Sequence, residues 1–347
     1  MNVVYLTSRI RYKLLKLIGL DRPKISSSND GRHFLVGAIE FMNFGDHAIN
    51  IGEEKYFNRN GLEYIEIPES YIDEFLQLPQ SFFNSKDVFY FHGGGNMGDV
   101  WPKQENWRQQ LMGKFPHNKI IFFPQSVNYV DVNSIELRKT LDKAAEVDDL
   151  TVMLRDRFSF EYMSNVYKSY DNVTVELMPD MALTLNYVDE SIEKQHDLGV
   201  YLRSDVEKDD NSERDVLMEK ILTSGKYTYL LSDTVQDNWK FVYYRNREKF
   251  LKRKLEEIMS NRVIITDRLH GMVFAIITNR PVIVFDNNNH KIRNLVSTWL
   301  SNMDSVFFVS DSIRIEEVIN KIDYFLSNEI DTYEGYVDFR KMVDHSG

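Results

Sequence analysis

The feature that most limits what this chain can fold into is where its apolar runs stop. Short apolar or aromatic runs recur at 33–39, 62–67, 87–91, 119–123, 150–154 and 173–178. A second series follows at 199–203, 227–231, 262–266, 282–285 and 306–309. Segments of helical period separate them, among them 134–145, 158–167, 241–259 and 313–325. This alternation predicts an α/β fold of parallel strands joined by crossover helices. The polar stretch 186–197 divides the series, so the chain reads as two Rossmann-like domains, 32–190 and 195–310, with a helical segment at 311–347. Nearly every run ends in polar or small residues, including His92-Gly93-Gly94-Gly95, Arg155-Asp156, Pro179-Asp180 and Asp267-Arg268-Leu269-His270. Ligands of open parallel sheets bind outside the carboxyl ends of the strands. Two such sheets facing each other would line one cleft with these endings. Any loop is polar, which accounts for Asn and Ser better than for Arg, Asp and His clusters set directly at strand ends.

Composition narrows the function classes. The 347 residues include no cysteine, so a disulfide framework, a thiolate zinc site and a cysteine nucleophile are excluded. A net charge of -11 argues against a nucleic-acid partner. No apolar run approaches the roughly 18–20 residues of a membrane span, and basic residues interrupt the N-terminal segment where a signal peptide would lie. The expectation is a cytoplasmic protein. Residues 1–24 read as a basic amphipathic helix, with Arg9, Arg11, Lys13 and Lys16 set against Leu6, Ile10, Leu14, Leu17 and Ile18. Such a helix either docks on its own protein or lies on an anionic membrane surface, here the inner face of the cell membrane. No His-x-x-x-His or Glu-x-x-His pair stands out, so no metal is expected, and no G-x-S-x-G points to a serine hydrolase.

Three strand endings carry candidate chemistry. Gly93, Gly95 and Gly98 satisfy G-x-G-x-x-G, but the next strand supplies no acid for a ribose, and no Gly-Lys-Ser/Thr follows. What remains is a glycine-rich loop, Gly93, Gly94, Gly95 and Asn96, that lets a ligand or another backbone approach, or a tight structural turn. Asp46, after Gly45, sits near a helix N-terminus, either as an ordinary N-cap or facing the cleft. The sharpest signal is 263–271, where a buried-looking strand delivers Asp267, Arg268 and His270 to the start of an apolar helix. Anions are favoured at such a terminus. Arginine suits bidentate binding of carboxylate or phosphate, and histidine can bind phosphate or move a proton. The plainer alternative has Asp267 capping the helix and pairing with Arg268 while His270 packs in the core.

Five segments in order then carry a family resemblance: Gly45-Asp46-His47-Ala48-Ile49, the run from His92 to Asp99, Arg155-Asp156-Arg157-Phe158-Ser159, Pro179-Asp180-Met181-Ala182, and Thr266-Asp267-Arg268-Leu269-His270-Gly271. Together, over about 33–310, they resemble the polysaccharide pyruvyl transferase family. The resemblance implies a GT-B-like pair of Rossmann-like domains around a cleft. It implies transfer of the pyruvyl group of phosphoenolpyruvate to two hydroxyls of a sugar in an exopolysaccharide, capsule or cell-wall precursor, forming a cyclic ketal and releasing phosphate. Phosphoenolpyruvate is then a co-substrate, no cofactor is needed, and the acceptor is a glycan for which a lipid link would suit the basic helix. The family's Arg-Leu-His run maps onto Arg268, Leu269 and His270 for donor binding. A further family arginine matches Arg203 or, second, Arg155. His270 would bind phosphate or act as acid or base, and Asp46 or Asp99 would activate or orient the hydroxyls. Two other readings share the architecture: a nucleotide-sugar glycosyltransferase, and a non-catalytic scaffold that binds glycan or membrane.

Overall fold

The protein is described by a computed structural model over residues 23–203, 212–235, 246–287, 289–310, 314–328 and 330. The basic helix expected at 1–24 falls outside the described residues for all but its last two positions. Strand β1 (His33–Ala38) leads into helix α1 (Phe44–Arg59), then β2 (Tyr64–Pro68), the short α2 (Ile72–Gln77), β3 (Val88–Phe91) and β4 (Gly94–Gly98). The chain continues through α3 (Pro102–Lys114), β5 (Lys119–Asn128), α4 (Ile135–Ala144), β6 (Asp149–Leu154), α5 (Arg157–Val166) and β7 (Val173–Leu177). A second run holds β8 (His196–Tyr201), α6 (Ser212–Thr223), β9 (Tyr229–Ser232), α7 (Arg247–Met259), β10 (Asn261–Thr266) and α8 (Leu269–Ile277). It ends with β11 (Val282–Phe285), α9 (Lys291–Leu295), β12 (Val306–Val309) and α10 (Ile315–Ser327).

These strands form two sheets in which every strand pairing is parallel. The first has the order β2-β1-β3-β5-β6-β7, with β4 added on β5, and the second β12-β11-β10-β8-β9. In each, the first strand lies between the second and the third, so the chain reverses direction across the sheet beside its first strand. Crevices for ligands open at such switch points, outside the strand carboxyl ends. Here that places the residues after β1 and β3 in one sheet, and those after β8 and β10 in the other, where a ligand would sit.

Side-chain alternation decides how the sheets pack. Phe34, Val36, Phe89, Phe91, Ile120 and Phe122 bury one face of the first sheet under α2, α3 and their flanking aromatics. Phe89 stacks on Phe115 at 3.9 Å between ring centroids. Val263, Ile265, Ile283 and Phe285 bury the outer face of the second. The intervening residues, among them Leu35, Tyr90, Ile121, Ile264 and Val284, belong to a single apolar cluster with α1, α7, α8 and the turn Met181–Thr184. The two sheets therefore share one apolar layer behind the cleft. Phe44 of α1 stacks on Phe250 of α7 at 4.1 Å, and Arg247 of α7 reaches Glu66 of β2 at 2.9 Å and pairs with Glu54 of α1.

The glycine run departs from expectation. It is not a loop: Gly94–Gly98 is a strand beside an extended β5 that continues through Pro124 to Asn128. Gly94 and Gly98 take φ of +121° and +130°, which a side chain would resist. A Cβ on Gly98 would lie 2.2 Å from the Asn128 carbonyl. Glycine composition hid this strand, since an apolar period was the only strand signal available.

Candidate active site

Each switch point is built by local capping and pairing. Asn43, not Asp46, caps α1: its Oδ1 accepts the Gly45 N–H at 3.0 Å, and its Nδ2 donates to Asp46 at 2.7 Å. Asp46 thus sits in the first turn, held by the cap. Gly45 is where the two sheets meet, because a Cβ there would lie 2.1 Å from His270 Nδ1. On the same face of α1, Glu53 is fully buried and accepts hydrogen bonds from Gly93 N–H and Asn50 Nδ2, both at 2.8 Å. His92 Nδ1 lies 2.8 Å from the same carboxylate.

In the second sheet, α8 starts from Arg268 in extended conformation with no side-chain cap. Asp267 is not the helix cap. Just past β10, it accepts Arg203 N–H from the segment after β8 at 2.7 Å and pairs with Arg214 of α6 at 2.9 Å. Arg268 instead pairs with Asp233, just past β9, at 2.6 Å. The charges of Arg203, Arg214 and Arg268 all act on Asp267, so this end of the sheet holds three cations around one buried carboxylate. Helix α8 lies against β10 because Gly271 has no side chain: a Cβ would fall 2.4 Å from Thr266 Oγ1.

The two ends converge. Arg155, 2% exposed, pairs with Asp180 at 2.7 Å and donates to Ser126 Oγ at 2.7 Å. Asp180 Oδ2 lies 3.7 Å from His270 Nε2 of the other sheet. Burial alone would raise the Asp180 pKa, but His270 and the Arg155 charge hold it well below the ordinary carboxylate range. A Cβ on Gly95 would meet Arg155 Nη2 at 2.8 Å and Lys291 Nζ at 3.0 Å, so this glycine admits two cations from opposite sheets. Lys291 also donates to the Gly95 carbonyl at 3.3 Å. Trp299 Nε1 donates to the Arg155 carbonyl at 2.8 Å, and Thr298 Oγ1 accepts the Arg157 N–H at 3.0 Å.

The sequence-predicted residues divide accordingly. His270, Arg155 and Gly95 come together with Asp180 at one point between the sheets; Arg268 lies two residues from His270, and Gly93 is tied to the Glu53 that also meets His92. Asn96 is held from below, its Oδ1 accepting from the buried Arg108 at 2.8 Å. Leu269 is 8% exposed and packs in the shared apolar cluster. Asp99 is taken up in loop closure: its carboxylate accepts from Val130 N–H and from Ser134 Oγ, which fastens β4 to the start of α4. Lys291, Arg214 and Glu53 escaped sequence reading. A lone lysine after a strand ending, an arginine in a polar helix and a glutamate in mid-helix give no local signal. Only the spacing of Glu53 from Asp46 along one helix face hinted at a shared direction. Among the described residues no group of three or more His, Asp or Glu is placed to hold a metal ion, and no helix is long and apolar enough to cross a membrane.

Comparison with known proteins places this geometry in context. A family profile described as "Polysaccharide pyruvyl transferase" matches residues 43–289. "General stress protein 30" of Bacillus subtilis is 32% identical over 338 residues, covering 96% of each chain. "Pyruvyl transferase 1" of Schizosaccharomyces pombe is 29% identical over 295 residues, covering 80% of this chain and 73% of that protein. Among solved structures, the UDP-GlcNAc 2-epimerase of Methanocaldococcus jannaschii superposes with a TM-score of 0.51 at 11% identity, covering 90% of this chain and 98% of that one. That likeness is one of fold, the GT-B-like pairing of two parallel sheets. With the profile spanning both switch points, the chain belongs to the polysaccharide pyruvyl transferase family.

Proposed function

We propose that the protein transfers the pyruvyl group of phosphoenolpyruvate to two hydroxyls of a sugar in a polysaccharide precursor, forming a cyclic ketal and releasing phosphate. The observation that carries this reading is the meeting of Arg155, Lys291 and His270 from two sheets around Gly95 and Asp180. Phosphoenolpyruvate is a small trianion with a carboxylate at one end and a phosphate at the other. It needs cationic donors from more than one direction. The whole chain carries -11, so a local cluster has to supply the attraction. Arg268 and the N-terminus of α8, which has no side-chain cap, extend the same site. Fixed donors aimed at the leaving phosphate stabilise the charge that develops there. In this reading Asp46, in the first turn of α1, orients an acceptor hydroxyl.

Calorimetric titration with phosphoenolpyruvate tests the reading. Wild-type protein is expected to bind it, Arg268→Ala to lose that binding, and UDP-sugars to give no heat. Binding of UDP-sugars without phosphoenolpyruvate would move the protein to the glycosyltransferases.

A further inference from the structure

His92 is the first residue past β3, at the switch point of the first sheet, and its ring is 2% exposed. Its Nδ1 lies 2.8 and 3.1 Å from the two carboxylate oxygens of the fully buried Glu53. Asn50 Nδ2 also lies 3.0 Å from Nδ1, but it donates to the same Glu53 carboxylate at 2.8 Å, so Nδ1 donates its proton to Glu53 and Nε2 is the nitrogen able to take or give a proton. Nε2 is buried and has no hydrogen-bond partner among the described residues. An unpaired buried nitrogen carries a desolvation cost that an apolar side chain would avoid. Bracing the glycine strand does not explain the ring, because Glu53 already bonds Gly93 directly and Gln125 Nε2 already bonds the His92 carbonyl at 2.7 Å. Asp46 shares a helix face with Asn50 and Glu53, and its charge acts on the ring.

We propose that His92 Nε2 moves the proton of the pyruvyl transfer and that Glu53 is its positioning residue; this rests on the reading given under Proposed function. The proton of the first acceptor hydroxyl passes to Nε2 as its oxygen bonds C2 of the enolpyruvyl group. The π pair of the double bond takes that proton at C3, so the methylene becomes a methyl and the ring returns to its starting state. The C2–O bond to phosphate then breaks, the second hydroxyl bonds C2, and its proton leaves with the phosphate. Protons and charge balance with no other reactant. Nε2 is shut off from solvent in this structure, so the proposal requires the acceptor to open a path to it.

The test uses the full chain, phosphoenolpyruvate as donor and a panel of p-nitrophenyl hexosides as acceptors, with phosphate release as the readout. His92→Gln is expected to lower kcat by about 100-fold or more, with phosphoenolpyruvate affinity by calorimetry unchanged. Glu53→Gln is expected to lower kcat less and to move the acid limb of the kcat profile to lower pH. Glu53 and Asp46 hold a proton on this ring, while burial and Arg247 oppose it, so deleting the Glu53 charge eases deprotonation. Glu53→Asp should recover part of the rate. The proposal fails if His92→Gln turns over near the wild-type rate, or if Glu53→Gln loses rate with its acid limb unmoved. The Glu53 profile decides the matter if His92→Gln does not fold. A wild-type protein that neither binds phosphoenolpyruvate nor releases phosphate from it overturns the transfer reading itself, an outcome separate from a defect confined to these variants.

Discussion

Arg268 and Asp233 meet at 2.6 Å across the carboxyl ends of β10 and β9. The arginine assigned to the donor therefore already faces a counter-charge before any anion arrives. Asp233 holds the guanidinium still but repels a trianion. Asp233→Asn keeps an acceptor oxygen for Arg268 and removes the charge. The substitution should tighten phosphoenolpyruvate binding by about fivefold, about 1 kcal/mol once screening at a partly exposed carboxylate is allowed for. The gain should shrink as salt rises, which calorimetry at two ionic strengths would read. Weaker binding would mean that Asp233 places Arg268 more than it opposes the ligand.

Gly45 makes a sharper prediction because its sign reverses the usual rule. Alanine for glycine inside a helix normally stabilises by about 1 kcal/mol. Here the added Cβ would lie 2.1 Å from His270 Nδ1 and 2.4 Å from its Cγ. Gly45→Ala should instead cost about 1–3 kcal/mol, the usual range for overpacking. Displacing His270 should also lower turnover about 100-fold, the scale of a misplacement near 1 Å. Gly61→Ala is the control: its φ is +64° with nothing within 4 Å of the new Cβ, so it should lose stability through backbone strain alone and keep its activity. Urea melts and phosphate release on both variants separate the two effects.

How much of this was legible beforehand depended on distance along the chain. The α/β class and the strand-end clustering followed from local period, since buried parallel strands such as β10 and β11 print as short apolar runs. Arg268 and His270 were legible because one strand ending delivers both. Arg155 stood in the sequence beside Asp156 and ranked only second, after Arg203, for the family's further arginine. Its partner is Asp180, across a strand crossover, and no spacing rule connects positions 25 apart. Lys291 could not be found, because its meaning comes from Gly95, 196 residues away. Asp99 has a role that no spacing shows: only the fold reveals its carboxylate accepting from Val130 N–H and Ser134 Oγ.

The buried group where α1 meets α7 predicts two opposing pH dependences. His47, fully buried, has its pKa lowered to about 3 by burial and by the charge of Arg247. Glu54 is raised to about 7 by burial, which outweighs Arg247, with Glu66 adding to it. Between pH 4.5 and 6.5 the unfolded chain protonates at position 47 while the folded one does not, so stability falls as pH drops. In the same window the folded chain keeps the Glu54 proton that the unfolded chain loses, so stability rises as pH drops. Each slope is about 1.4 kcal/mol per pH unit at most, with Glu54 contributing less because its side chain is 28% exposed. Relative to wild type, His47→Gln should gain stability between pH 6.5 and 5, and Glu54→Gln should lose it. Urea melts giving both variants the same slope would rule out this pairing.

Trp299 offers a way to ask whether the contact between the sheets serves binding or chemistry. Its indole N–H donates to the Arg155 carbonyl, and the neighbouring Thr298 accepts from Arg157 N–H at the start of α5. Both bonds exist only when the segment before β12 reaches the end of β6. Trp299→Phe removes the first bond, and Thr298→Val removes the second together with the hydroxyl's own donation to the Asn294 carbonyl at 2.6 Å. Each should cost about 1 kcal/mol, seen as a roughly fivefold rise in the donor KM with kcat unchanged, because the bonds touch the backbone that carries Arg155 and not the reacting atoms. The two losses should not add, since both bonds secure the same approach and share the same stretch of chain. A fall in kcat at constant KM would show that this approach is completed only as the reaction proceeds, and that closure at Trp299 belongs to the transition state rather than to donor capture.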